Sequence, residues 1–125
     1  MSPRLTDREL DVMDVLWDRQ SATVAEVRSR LTDELAYTTV LTVLRTLEQK
    51  GHVDHVGEGK AHRYRPLVGR AEVGRSAIRH LLTTLFDGSP SALIARLVDD
   101  RDLSRQDIKE LRKLLDERLA KRGKG

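Results

Sequence analysis

Between residues 36 and 50 the chain carries two chemically different sets of side chains, and a helix keeps them apart. At about 100° per residue, Val40, Val43, Leu44 and Leu47 fall on one arc. Thr38, Thr42, Arg45 and Gln49 gather on the opposite side, with Thr39 and Thr46 flanking them. Gly51 is placed to end this helix as a left-handed residue just past the cap. An exposed helix face normally favours Glu, Lys or Gln, because Thr has only middling helix propensity. A threonine face therefore needs a reason. Short side chains let the backbone approach phosphates closely, and they offer a hydroxyl to base edges and a methyl to thymine. The competing reading is a plain amphipathic surface helix.

The segment after the helix narrows the choice. Residues 52–56 are strand-like, Gly57-Glu58-Gly59-Lys60 supplies a turn, and Ala61-His62-Arg63-Tyr64-Arg65-Pro66 alternates. Ala61, Arg63 and Arg65 share one side of that strand, and His62 and Tyr64 the other. Tyr64 is expected to pack inward, with Lys60 and Arg63 on the hairpin for contacts to a nucleic-acid backbone.

Two helices should precede. Thr6-Asp7-Arg8-Glu9 and Thr23-Val24-Ala25-Glu26 both have the spacing of a capping box. The first predicts a helix burying Leu10, Met13, Leu16 and Trp17. The second predicts a short one burying Val24, Val27 and Leu31, with Ser21-Ala22 as the break between them. Helix, helix, helix, hairpin is the order of a winged helix, in which the third helix enters the major groove and the hairpin touches the flanking backbone.

After residue 70 the chain reads as purely helical. Val73, Ala77, Ile78, Leu81, Leu82, Leu85 and Phe86 form one wide stripe. Ser89-Pro90 caps a short helix lined by Leu93, Ile94, Leu97 and Val98. Ser104 and Asp107 cap a last helix with Ile108, Leu111, Leu115 and Leu119 on its stripe. Three helices this short cannot bury so much apolar surface alone, and a second copy is the simplest cover. Packing back onto the N-terminal part is the alternative. The predicted fold class is mainly α with a small β-hairpin: an N-terminal winged helix-turn-helix domain over 1–69 and a C-terminal three-helix dimerisation module over 70–125.

Charge supports the functional half of this reading. Residues 1–35 carry five Arg against eight Asp or Glu, whereas residues 36–70 carry six Lys or Arg against three acids. That basic block suits a phosphate-rich partner. Hydrophobic residues at 38% put the chain outside the disordered class, and no apolar run is long enough for a membrane span. With no signal-peptide pattern at the start either, a cytoplasmic location is expected. There are no cysteines, which removes disulfides and thiolate sites. His52 and His55 lie three apart on a strand and point to opposite faces, so no metal site is expected. No phosphate-binding glycine loop, HExxH or Gly-x-Ser-x-Gly occurs, so neither an enzyme nor a cofactor is expected. The C-terminal stripe holds no polar constellation that would bind a small effector. A protein-interaction adaptor on the same scaffold is the reading from another class.

Leu35-Ala36-Tyr37-Thr38-Thr39-Val40-Leu41-Thr42-Val43-Leu44, with the later Lys50-Gly51, resembles the BlaI/MecI penicillinase-repressor family, which also includes the copper-responsive CopY repressors. Glu9-Leu10-Asp11-Val12-Met13-Asp14-Val15-Leu16-Trp17 is similar to that family's first helix, and Ala61-His62-Arg63-Tyr64 to its wing strand. Ile108-Lys109-Glu110-Leu111-Arg112-Lys113-Leu114-Leu115 is similar to its last dimerisation helix. The resemblance implies a homodimeric repressor on a double-stranded, dyad-symmetric operator, in a setting of antibiotic or cell-envelope stress. It implies DNA contacts by Tyr37, Thr38, Thr39, Thr42, Arg45 and Thr46 from the helix, and by Lys60 and Arg63 from the wing. It implies dimer contacts by Ile78, Leu81, Leu82, Leu85, Leu93, Leu97, Ile108, Leu111 and Leu115. In the resistance branch a membrane-anchored metallopeptidase sensor relieves repression by cleavage in the dimerisation module. The cleaved bond aligns with Arg96-Leu97, where the Asn-Phe pair of the staphylococcal branch is missing. Many relatives carry Arg at the position of Thr46, so the order Arg45-Thr46 implies a different base preference. The Cys-x-Cys copper signature is absent as well.

Overall fold

The computed structural model describes residues 4–59 and 61–123, without the side chain of Glu58. The elements run α1 (Asp7–Arg19), β1 (Ala22–Thr23), α2 (Val24–Arg30), α3 (Tyr37–Gln49), β2 (Val53–Glu58), β3 (Ala61–Pro66), α4 (Arg70–Leu85), α5 (Pro90–Asp99) and α6 (Arg105–Gly123). Contacts divide the chain into two compact units, the first ending at Arg79 and the second starting at His80, so the division falls inside α4.

Both N-terminal capping boxes form. The hydroxyls of Thr6 and Thr23 accept from the amides of Glu9 and Glu26, and each glutamate takes the cap amide in return. The end of α3 is equally explicit. The amide of Gly51 donates to the Glu48 carbonyl and that of His52 to the Leu47 carbonyl, with Gly51 at φ +82°. This pair of bonds closes a Schellman motif, which a glycine enters without a Cβ penalty. It also moves the start of the strand: His52 is spent on the helix end, so β2 begins one residue later, at Val53.

The sheet has three antiparallel strands in the order β1-β3-β2, not the two of a bare hairpin. Ala22, expected only to break a helix, and Thr23, expected only to cap the next one, pair with Tyr64 and Arg63. Two residues are too few to leave a periodic signal in the sequence. Across the wing His55 faces Tyr64 and Glu58 faces Ala61, with Gly59 at φ +59° in the turn between them.

One core serves the first unit. Val12, Met13, Val15 and Leu16 of α1 meet Val24 and Val27 of α2 and Val40, Leu44 and Leu47 of α3; Ala22, Val53 and Tyr64 close it from the sheet. The α1 stripe is wider than expected because α1 packs on both α3 and β3. Val12 and Val15 are buried, while Leu10 and Trp17 are half-buried. Trp17 donates from Nε1 to the Val68 carbonyl at 2.8 Å, and the Arg70 guanidinium lies 5.2 Å above its ring. Val73 is buried in the first turns of α4.

In the second unit the caps are as the spacing requires: Ser89 accepts from Ala92 with Pro90 in the first turn, and Ser104 exchanges hydrogen bonds with Asp107. Neither α5 nor α6 buries a residue completely. Of the side chains expected at a dimer interface, Ile78, Leu81, Leu85, Ile108 and Leu115 are exposed, and Leu82, Leu93, Leu97 and Leu111 are half-buried. Among the described residues no helix is long and apolar enough to cross a membrane.

Candidate nucleic-acid interface

The buried stripe Val40, Leu44 and Leu47 fixes which way α3 faces, and Val43 joins it half-buried. Tyr37, Thr38, Thr42, Arg45 and Gln49 are thereby exposed, with Thr39 and Thr46 at the margin. Among the described residues Arg45 makes no hydrogen bond or ion pair of its own, so its guanidinium keeps its donors for an outside acceptor.

The threonines are not equivalent. Thr42 donates its hydroxyl proton to the Thr38 carbonyl at 2.9 Å, and Thr46 donates to the Thr42 carbonyl at 3.0 Å. Each of these two side chains therefore has its proton committed and can offer only a methyl and oxygen lone pairs. At the other end α3 starts on Ala36, which supplies no side-chain cap. The first intrahelical bonds are made by the amides of Thr39 and Val40 to the Ala36 carbonyl, so those of Tyr37 and Thr38 lie ahead of the helical ladder.

The wing residues separate. Lys60 lies outside the described residues. Arg63 sits in the central strand, opposite both Val56 and Thr23, and its guanidinium is 3.2 Å from Glu26. Glu26 thus closes the capping box of α2 and is the partner of Arg63 and Arg19 together. The Thr23 amide and hydroxyl, and after them Arg63 and Arg19, hold its carboxyl below the usual range. Arg65 forms a two-point pair with Asp54 across β2 and β3, at 2.6 and 3.0 Å, which lowers the Asp54 carboxyl.

Sequence reasoning missed two long-range groups. His55 Nδ1 lies 2.8 Å from both carboxylate oxygens of Glu48, joining the wing to α3. The His55 ring stacks on His62 at 4.4 Å and leans on Tyr64 at 5.2 Å. Burial pushes the Tyr64 phenol up, and Glu48 adds to it. The second group joins Lys50 to the buried carboxylate of Glu9. Both link residues with no periodic relation. The one clue is that histidine and glutamate sit where an inward sheet face and a helix flank must meet. Among the described residues no cluster of metal-binding side chains forms.

Comparison with known proteins gives a consistent picture. The family model for the penicillinase repressor matches residues 5–117. The transcriptional regulator BlaI of Mycobacterium tuberculosis is 38% identical over 117 residues, covering 86% of this chain and 85% of the relative. The penicillinase repressor of Bacillus licheniformis is 27% identical, covering 92% and 91%. The solution structure of the DNA binding domain of the repressor BlaI superposes with a TM-score of 0.52 at 32% identity, covering 58% of this chain and 90% of that one. The oxidised form of MarR from E. coli shares the fold, with a TM-score of 0.53 at 18% identity over 92% of this chain and 76% of that one.

Proposed function

This chain belongs to the penicillinase repressor family, and on that premise we propose that it is a homodimeric transcriptional repressor binding a palindromic double-stranded operator through α3 and the β2–β3 wing. Its relatives are repressors and regulators, not enzymes. The observation that carries the reading is the outer face of α3: threonines around an arginine that has no hydrogen-bond or ion-pair partner among the described residues, on a helix with no side-chain cap at its start. Such a helix end accepts a phosphate oxygen on free amides, while Arg45 reaches a guanine edge. Lys60 and Arg63 serve the flanking backbone, for which Arg63 has to leave Glu26 or bridge it.

Dimerisation is the second part of the proposal. One reading helix covers few base pairs, and two-fold symmetry doubles the site. The apolar side chains left uncovered on α4, α5 and α6 supply the surface, with Leu85 at 69% and Leu115 at 59% exposure. Relief by a membrane metallopeptidase sensor is the regulatory part and rests on the family alone. It puts the cut near Arg96 and Leu97, inside α5, so that helix has to unwind before a protease can hold an extended segment.

Selection of duplexes from a random library, followed by footprinting and sedimentation, tests the reading. A palindromic footprint, a dimer mass and an affinity falling steeply with salt are expected. A monomer that retains no duplex would overturn it.

A further inference from the structure

We propose that Asp14, Trp17 and Arg70 form a clasp that fixes the direction in which α4 leaves α1, and that through it the chain selects the separation of the two half-sites it reads. The proposal rests on the dimeric operator reading above and names the residues that set its spacing. All three lie in the first compact unit, as does α4 up to Arg79.

The residue ahead of α4 is Gly69, which has no side chain to cap the helix; its carbonyl accepts from the Val73 amide at 3.1 Å. Contacts to other segments set the helix start instead. The Leu67 amide donates to the His52 carbonyl at 2.8 Å, and the Val68 carbonyl accepts from Trp17 Nε1 at 2.8 Å. Val68 packs on the core and Val73 is buried. Arg70, the first residue of α4, then fixes its rotation: the guanidinium lies 5.2 Å above the Trp17 ring and 3.0 Å from Asp14. Asp14 and Trp17 are three apart on α1 and share a face. The single tryptophan of the chain thus meets the start of α4 with its polar edge and with one face of its ring.

Arg70 and Asp14 are both exposed, and an exposed ion pair adds little to folding. Its effect here is geometric. Ile78, the first of the expected dimer contacts, lies eight residues beyond Arg70, about 12 Å along the helix. A tilt of about 15° at the clasp moves Ile78 by about 3 Å, close to the rise of one base pair, and each added pair also turns a half-site by about 35°. A loosened first turn therefore lets a dimer follow half-sites that a held one rejects.

Anisotropy titrations of the full chain read this on duplexes built from the selected palindrome. One series adds or removes one or two base pairs between the half-sites, and a separate duplex carries a single half-site. The wild type is expected to lose roughly tenfold or more per misplaced base pair, and Arg70→Ala less than about threefold. Asp14→Asn flattens the series in the same direction. The single half-site is bound within about twofold by all three proteins, because the clasp lies away from the reading face. A general loss of stability would weaken every duplex alike and leave their ratios in place. A series as steep in Arg70→Ala as in the wild type overturns the clasp and leaves the operator reading intact. An equal loss on every duplex, or a wild type indifferent to spacing, does the same. A wild type that binds no duplex overturns the operator reading as well.

Discussion

Lys50, the capping residue of α3, places its ammonium 2.8 and 2.9 Å from the two carboxylate oxygens of Glu9 in the first turn of α1. Glu9 is 4% exposed and also takes the Thr6 amide at 2.8 Å. Burial pushes its carboxyl up, but the hydrogen bonds from Lys50 and Thr6 outweigh this and hold it below the usual range. The pair therefore joins the start of the domain to the end of its reading helix.

Removing the cation leaves a buried carboxylate with only the amide of its own cap. Lys50→Met is expected to cost about 1–3 kcal/mol in urea unfolding. Because the folded Glu9 value is depressed, its contribution is complete above the ordinary carboxylate value of about 4.3 and disappears as pH falls through the lowered one. The variant and the wild type should converge in stability in that acid range.

Arg45 has no protein partner to lose among the described residues, so its deletion tests recognition with little effect on folding. Arg45→Ala should leave the thermal midpoint unchanged and weaken binding to a selected duplex by roughly 1–3 kcal/mol, relaxing preference at one position. An unchanged affinity and preference would remove Arg45 from the interface.

Thr42 has its proton committed to Thr38, which leaves the methyl as its distinctive contact. Thr42→Val should bind selected duplexes within about twofold of the wild type, while Thr42→Ser loses roughly 0.8 kcal/mol for the missing methyl. The reverse order in the same titration would mean that the hydroxyl oxygen accepts from a base amine.

His52 is 8% exposed, and burial, then Lys50, push its imidazole down, against weaker pulls from Glu9 and Glu72. A depressed folded value means that the unfolded chain binds more protons. The contribution is present above the ordinary imidazole value of about 6.5 and is lost as pH falls through that range. Urea midpoints should drop on acidification in the wild type and less in His52→Gln.

What the sequence reveals of this fold is what local rules govern. Thr6, Thr23, Ser89 and Ser104 announce their helices because a cap needs only residues within one turn. The face of α3 is legible because periodicity decides which residues are buried. β1 escapes because two residues have no period, and its pairing depends on a strand about forty residues away. The braces Glu48–His55 and Glu9–Lys50 escape for the same reason: neither residue type nor spacing names a partner that only the tertiary fold brings near. Arg63 shows the converse. Its alternation places it correctly on the strand, but Glu26 arrives from another element.

The lack of fully buried residues in α5 and α6 has a consequence for amide hydrogen exchange. Helices that only half-bury their apolar side chains open at less cost than core helices, so their amide protons exchange faster than those of Leu44 or Val12 in the core. Protection beyond that level must be lent by whatever lies on the exposed Val98 of α5 and Leu115 and Leu119 of α6. The exchange rate of these two helices, followed against protein concentration, is a direct gauge of how often that face is covered.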